Sequence, residues 1–146
     1  MINIKIATKE DIDSWVKMRL ELWSTSSSEE HRKELQEMVG TNTFQGWIAF
    51  EGDEKIGFAE ASIRPFANGC ENRPVVFFEG VWVRDSYRNK GVGREFVKAV
   101  EDWAKQKGIM EIGSDAELPN TLSHDCHQSW GFEETERVVY FRKKLK

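Results

Sequence analysis

With 146 residues, 39% of them hydrophobic and 32% charged, the chain has the size and balance of one soluble globular domain with its own core. A net charge of −4 without a basic stripe argues against a general nucleic-acid binder, although six tryptophans could stack bases, and no apolar run approaches a membrane span. Charges spread through positions 1–20 leave no apolar stretch for a signal peptide, so a cytoplasmic location with Cys70 and Cys126 reduced is expected.

Positions 2–7 alternate and predict a strand. Thr8, with Asp11 three residues on, has the spacing of a capping box for a helix reaching about Trp23. A serine run follows as a loop, and Ser27 with Glu30 repeats the capping pattern for a second helix ending near Gly40. Positions 47–51 read as a strand, Gly52-Asp53 as a turn, and 55–64 as its hairpin partner. Positions 65–74 form a long loop containing Phe66. Positions 75–83, Val-Val-Phe-Phe-Glu-Gly-Val-Trp-Val, read as a β-branched and aromatic strand in which Gly80 marks a bulge or a close approach. After a basic loop, Val92, Phe96, Val97, Val100, Trp103 and Ala104 recur at helical spacing until Gly108. A short strand at 109–114, a helix from Asn120 to Trp130, Gly131-Phe132 and a hairpin over 133–146 complete the order.

The loop between the sixth and seventh of these β and α runs carries the chemistry. Arg88-Asn89-Lys90-Gly91-Val92-Gly93-Arg94 joins a strand to a helix start, where unpaired N–H groups and the helix dipole favour an anion such as a pyrophosphate. A Walker A loop is excluded because only Val92 separates the glycines, and a dinucleotide fingerprint because position 96 is Phe. Arg88-x-x-Gly91-x-Gly93 resembles the acyl-CoA pyrophosphate loop of the GNAT superfamily of N-acetyltransferases. The preceding strand, the following helix, Asn120 and the Gly131-Phe132 pair stand in the order that this family shows. The resemblance implies an α/β (α+β) fold in one domain over residues 1–146, with a mixed twisted sheet of about seven strands, splayed between the fourth and fifth, and helices on both faces.

The resemblance also implies how acetyl-CoA is held. Its pyrophosphate would lie on Arg88, Asn89, Lys90, Gly91, Val92, Gly93 and Arg94, and its pantetheine arm along Val81, Trp82 and Val83, with the Val81 N–H polarising the thioester carbonyl. Asn120 would contact the arm, or simply cap its helix. Many family members have a tyrosine four residues before the Gly of the Gly-Phe pair, as acid for the leaving thiolate; here that position is His127. A histidine could serve as acid, or could only pack.

The acceptor is expected to be an amine that must lose a proton before it attacks, and Glu79, Asp115 and Glu136 are the candidate carboxylates. Glu79 stands out because it interrupts an apolar strand, and Asp115 because it follows a strand end. Further stretches, including Glu60-Ala61-Ser62-Ile63-Arg64, 74–80, Ser114-Asp115 and 131–137, resemble the aminoglycoside 6′-N-acetyltransferases. That resemblance implies acetylation of the 6′-amino group of an aminoglycoside by direct transfer in a ternary complex, conferring antibiotic resistance. Glu79, Asp115 and Glu136 would then attract the polycation, with Trp23 and Phe66 packing on sugar rings. Glu29, Glu30 and His31 could add a further wall but read more simply as loop and helix start. A homodimer is implied too, with contacts at 138–141. His124, Cys126 and His127 lack a fourth ligand, so no metal is expected. A GNAT enzyme acting on a polyamine or protein amine, and a non-catalytic CoA-binding module, remain the alternatives.

Overall fold

Every strand expected before position 84 forms, and the sheet that they build explains where each helix must lie. The computed structural model describes all 146 residues. Its sheet runs β1 (Ile2–Ile6), β2 (Phe44–Glu51), β3 (Glu54–Arg64), β4 (Val75–Val83) and β5 (Ile112–Gly113), in that spatial order. The first four are antiparallel neighbours, and β5 is parallel to β4. Side chains alternate between the faces of a strand. Ile48 and Phe58 are paired and fully buried on one face, packed in a cluster with Trp15, Val16 and Met18 of α1 (Ile12–Leu22) and Leu35 of α2 (Ser28–Met38). Trp47 points to the other face and meets Trp103 of α3 (Val92–Gln106) edge-on at 5.9 Å between ring centroids. Helices therefore cover both faces, as expected. Each fully buried large side chain in these layers contributes roughly 1.5–3 kcal/mol.

The caps behave as the spacing predicts. Ser27 Oγ accepts from the Glu30 N–H at 3.1 Å while the Ser27 N–H donates to Glu30 Oε1 at 3.0 Å, a complete reciprocal box. Asp11 accepts from the Thr8 N–H at 2.9 Å, but the turn that it closes, Lys9–Asp11, is 3-10, and α1 proper begins only at Ile12. Asn120 caps α4 (Thr121–Ser129) by accepting from the Ser123 N–H at 3.2 Å.

Two expectations need correction. The sheet has five strands, not seven: β5 keeps only Ile112–Gly113 of the stretch foreseen at 109–114, and residues 133–146 form no strand. The apolar residues of that tail favour strands, but a strand needs a neighbour to take its N–H and C=O groups, and none is provided within the chain. Val139, Tyr140 and Phe141 are 75%, 79% and 91% exposed.

The chain forms two compact units, 1–114 and 115–146. The first holds the whole sheet and every buried residue; the second holds α4 and the tail, and none of its residues is buried.

Inside the first unit lies a charged cluster that composition does not announce. Glu60 of β3 and Arg19 of α1 are almost wholly buried. Glu60 accepts from Trp15 Nε1 at 2.9 Å, Arg19 Nε at 2.7 Å and Arg19 Nη2 at 2.5 Å, so both carboxylate oxygens are occupied by donors. Burial pulls the Arg19 guanidinium down, but its bonds to Glu60 and Glu34 more than offset this and hold it above its usual value. No buried side-chain nitrogen or oxygen lacks a partner.

Candidate active site

A bulge in β4 organises the acceptor side. Glu60 pairs with Gly80 and Ala61 with Phe78, leaving Glu79 as the extra residue between them. The bulge turns the Glu79 carboxylate toward β3, where it accepts from Ser62 Oγ and from Arg64, with Nη2 at 2.7 Å from Oε1. Arg64 in turn lies flat over Phe77, 3.7 Å from the ring centroid. Glu79 is thus a fixed, partly exposed negative charge rather than a loose surface acid. Next to it, Gly80 leaves room for an indole: a Cβ there would come within 2.4 Å of Trp23 Cζ2. Trp23, the C-cap of α1, is half-buried and packs edge-on to Phe58 at 6.0 Å. The sequence assigned Trp23, Glu79 and the Gly80 bulge to one place, and they lie together. Phe66 lies in the 65–74 loop, 56% exposed, with the Arg73 guanidinium 5.4 Å above its ring.

The splay is also present. β5 pairs in register only with Val76 and Phe77, and the Phe78 carbonyl still accepts from Ser114 Oγ at 3.2 Å, so the β4–β5 ladder ends before Val81–Val83. A backbone edge inside an apolar sheet is a ready partner for an amide-bearing chain. At its end, Asn89 has φ 60° and Gly91 φ 84°, both left-handed, and α3 starts at Val92 with Gly91 as N-cap. Those two conformations turn the backbone so that the first N–H groups of α3 form an anion-facing start. Among the basic side chains, Arg88 does not simply add charge there: its Nε donates to the Val83 carbonyl at 2.8 Å and its Nη1 pairs with Asp85 at 2.9 Å, which ties the loop back to the strand. Lys90 lies 5.6 Å over the Tyr87 ring.

The model of the "Acetyltransferase (GNAT) family" matches residues 11–132, most of the chain. The chain belongs to the GNAT acetyltransferases. Among its relatives, aminoglycoside N(6′)-acetyltransferase type 1 of Salmonella typhimurium (strain LT2) is 38% identical over 98% of this chain and 99% of its own length. The enzyme of the same name from Klebsiella aerogenes is 42% identical over 92% of this chain and 91% of its own. A solved structure of aminoglycoside N-acetyltransferase AAC(6′)-Iy with the bisubstrate analog CoA-S-monomethyl-acetylneamine superposes with a TM-score of 0.94 at 38% identity, covering 99% of both chains. These relatives place the chain in the aminoglycoside 6′-N-acetyltransferase branch of GNAT.

The remaining candidate site residues fall in the second unit. Asp115 is its first residue and is exposed; Asn120 is the α4 cap; Glu136 is exposed in the C-terminal tail. His127 of α4 lies with Nδ1 2.7 Å from the Ser123 carbonyl and its ring against Trp130 and Phe132, at 5.5 and 5.2 Å. A carbonyl can only accept, so Nδ1 carries the proton and donates it to Ser123. His127 can then give up a proton from its other nitrogen only as imidazolium. The packing role is visible in the structure, and the acid role requires that charged form.

The Arg19–Glu60 pair was not foreseen from the sequence, and His31 was named there only as part of a possible further wall, not as their buried neighbour. A signal for Glu60 did exist: like Glu79, it interrupts an apolar run, Ile56 to Ile63. His31 gave none, because its burial depends on α2 folding back over α1.

Proposed function

We infer that this chain transfers the acetyl group of acetyl-CoA to the 6′-amino group of aminoglycosides. The observation that carries this reading is the bulged β4, which presents the fixed Glu79 carboxylate beside Trp23 and continues past the end of the β4–β5 ladder to Val81–Val83 and the Gly91 helix start. One strand thereby joins an acceptor-facing charge to a donor-binding edge. Near-full-length identity to enzymes named for this reaction supports it.

In the reaction, the pantetheine arm of acetyl-CoA pairs with residues 81–83, and its pyrophosphate takes N–H groups between Arg88 and Arg94. Glu79, with Asp115 and Glu136, draws in the polycationic acceptor, and Trp23 and Phe66 pack on its sugar rings. The 6′-ammonium gives a proton to Asp115 or Glu79, directly or through water. The neutral nitrogen then attacks the thioester carbon and a new N–C bond forms; as the C–S bond breaks, the nitrogen releases its surplus proton to water to leave the neutral amide, and the thiolate takes a proton, with His127 as the candidate donor. The Val81 N–H is the candidate for holding the carbonyl oxygen as charge develops. No covalent enzyme intermediate is needed, because the amine itself is the nucleophile. Asn120 contacts the arm in addition to capping α4. The chain acts as one GNAT domain in the cytoplasm, without a metal.

The same reading includes a homodimer. Residues 138–141 are apolar, strand-favouring and exposed, and a second chain would supply the neighbours that they lack.

The direct test measures thiol release from acetyl-CoA with kanamycin and with a matched 6′-hydroxyl aminoglycoside. Release with the 6′-amine alone is expected. Release with neither, while CoA still binds, would overturn the acceptor assignment in favour of another amine or of a CoA-binding module.

A further inference from the structure

The Trp23 indole meets the β4 bulge at Gly80, and Trp23 is the C-cap of α1, with φ −122° and ψ 78°. A C-terminal cap residue in that position would normally sample several rotamers and backbone states. Here it is held from three sides. Its N–H donates to the Arg19 carbonyl at 2.6 Å. The Arg19 guanidinium lies 5.1 Å from its ring centroid. Its carbonyl accepts from His31 Nε2 at 3.0 Å.

His31 connects these contacts. It is 2% exposed, and its Nδ1 is 3.2 Å from Arg19 Nη1. A guanidinium cannot accept and a carbonyl cannot donate, so the assignment is forced: Nδ1 is the acceptor, Nε2 carries the proton, and the ring is neutral. One imidazole thus spans from the guanidinium above the Trp23 ring to the Trp23 backbone. Arg19 is itself fixed by Glu60, the residue paired with Gly80, on which the indole lies. The loop of contacts closes: Glu60 to Arg19, Arg19 to His31, His31 to Trp23, Trp23 to Gly80.

We propose that His31 is a positioning residue for the acceptor, acting through Arg19 and the Trp23 backbone to hold the Trp23 indole over the β4 bulge. The proposal rests on the acceptor reading above for its kinetic consequence, but its geometric content does not. It assigns α2, which touches no proposed reacting group, a part in acceptor recognition.

The test uses the full chain and three substitutions. His31→Gln keeps one acceptor and one donor at similar reach. His31→Leu keeps bulk and loses both. His31→Asn keeps polarity but is too short to span both partners, and it serves if the leucine variant does not fold. With 5-fluorotryptophan incorporated, the Trp23 resonance is assigned by Trp23→Phe. We expect it to shift or broaden in His31→Leu and His31→Asn and to stay in place in His31→Gln. In steady-state kinetics with kanamycin, His31→Leu should raise the acceptor KM on the order of tenfold, the scale of a lost buried hydrogen bond, while the acetyl-CoA KM stays within about twofold. His31→Gln should restore it. In the Trp23→Ala background, His31→Leu should add less than about twofold, because both changes act through one side chain.

A Trp23 resonance unmoved in both disruptive variants overturns the proposal. So does a rise in both KM values together, which would mark a general folding defect, or penalties that add in the double variant. If the wild-type chain turns over no aminoglycoside, the acceptor reading fails, and the fluorine comparison alone still decides whether His31 positions Trp23.

Discussion

Glu79 and Glu60 stand one residue apart across the sheet, and their surroundings give them opposite uses. Glu60 is enclosed, with both oxygens taken by Arg19 and Trp15, and burial pushes its carboxyl upward against those donors. Glu79 is anchored by Ser62 and Arg64 but keeps an exposed face, so it can meet a substrate cation. Replacing Glu79 with Gln should therefore raise the acceptor KM or lower turnover on the order of tenfold or more, the cost of losing one charged hydrogen-bond partner, and leave acetyl-CoA binding unchanged. Asp115→Asn should show the same pattern; if both variants retained wild-type kinetics, the two acid assignments would be wrong. Glu79 and Trp23 were legible in the sequence because each breaks a local rule, an acid in an apolar strand and a large aromatic next to a serine run. The burial of Arg19 was not, because burial of a charge is decided by partners 12 to 41 positions away and leaves little mark on local periodicity.

At the scale of elements, the β4–loop–α3 segment was readable almost residue by residue. Its strand is apolar on both faces, its turn needs left-handed residues, and its helix repeats apolar residues every three to four positions. Gly91 at φ 84° is where this segment is most sensitive. Gly91→Ala places a Cβ in the left-handed region at a cost of about 1 kcal/mol. The thermal midpoint should fall by a few degrees, and CoA affinity, measured by calorimetry, should fall with it. Gly80→Ala acts differently: its new methyl meets the Trp23 indole, so the acceptor KM should rise while the thermal midpoint moves less than cavity or overpacking changes in the deep core would cause. The C-terminal hairpin was misread for a physical reason. Strand-favouring residues at 137–142 specify extended backbone, but pairing depends on a neighbour that the pattern cannot name.

For the molecule as a whole, part of the acid sensitivity should come from Asp11. Burial raises its carboxyl, but the Thr8 N–H and Lys55, whose Nζ is 3.0 Å from Oδ1, outweigh it and hold the group below its ordinary value. A carboxylate depressed in the folded state adds stability that is full above its unfolded value, about 4, and is lost as pH falls through the folded one. Asp11→Asn should therefore flatten part of the stability loss below about pH 4 in urea titrations at several pH values. Deleting residues 137–146 should convert a dimer to a monomer in sedimentation equilibrium, and an unchanged mass would remove the tail from the contact. The splay in the sheet has a consequence outside catalysis. Sheet edges exposed to solvent are normally guarded by lysine, proline or shortness, and Val81-Trp82-Val83 has none of these guards. This line of backbone, which the proposed reading gives to the pantetheine arm, is also open to pairing with another chain. Coenzyme A at about a hundred times its dissociation constant would add roughly 2.7 kcal/mol to folding and occupy that line. Resistance to clumping in the cell should then follow the supply of the coenzyme, so that starving cells of pantothenate would lower the amount of soluble enzyme before it lowered the rate of any surviving molecule.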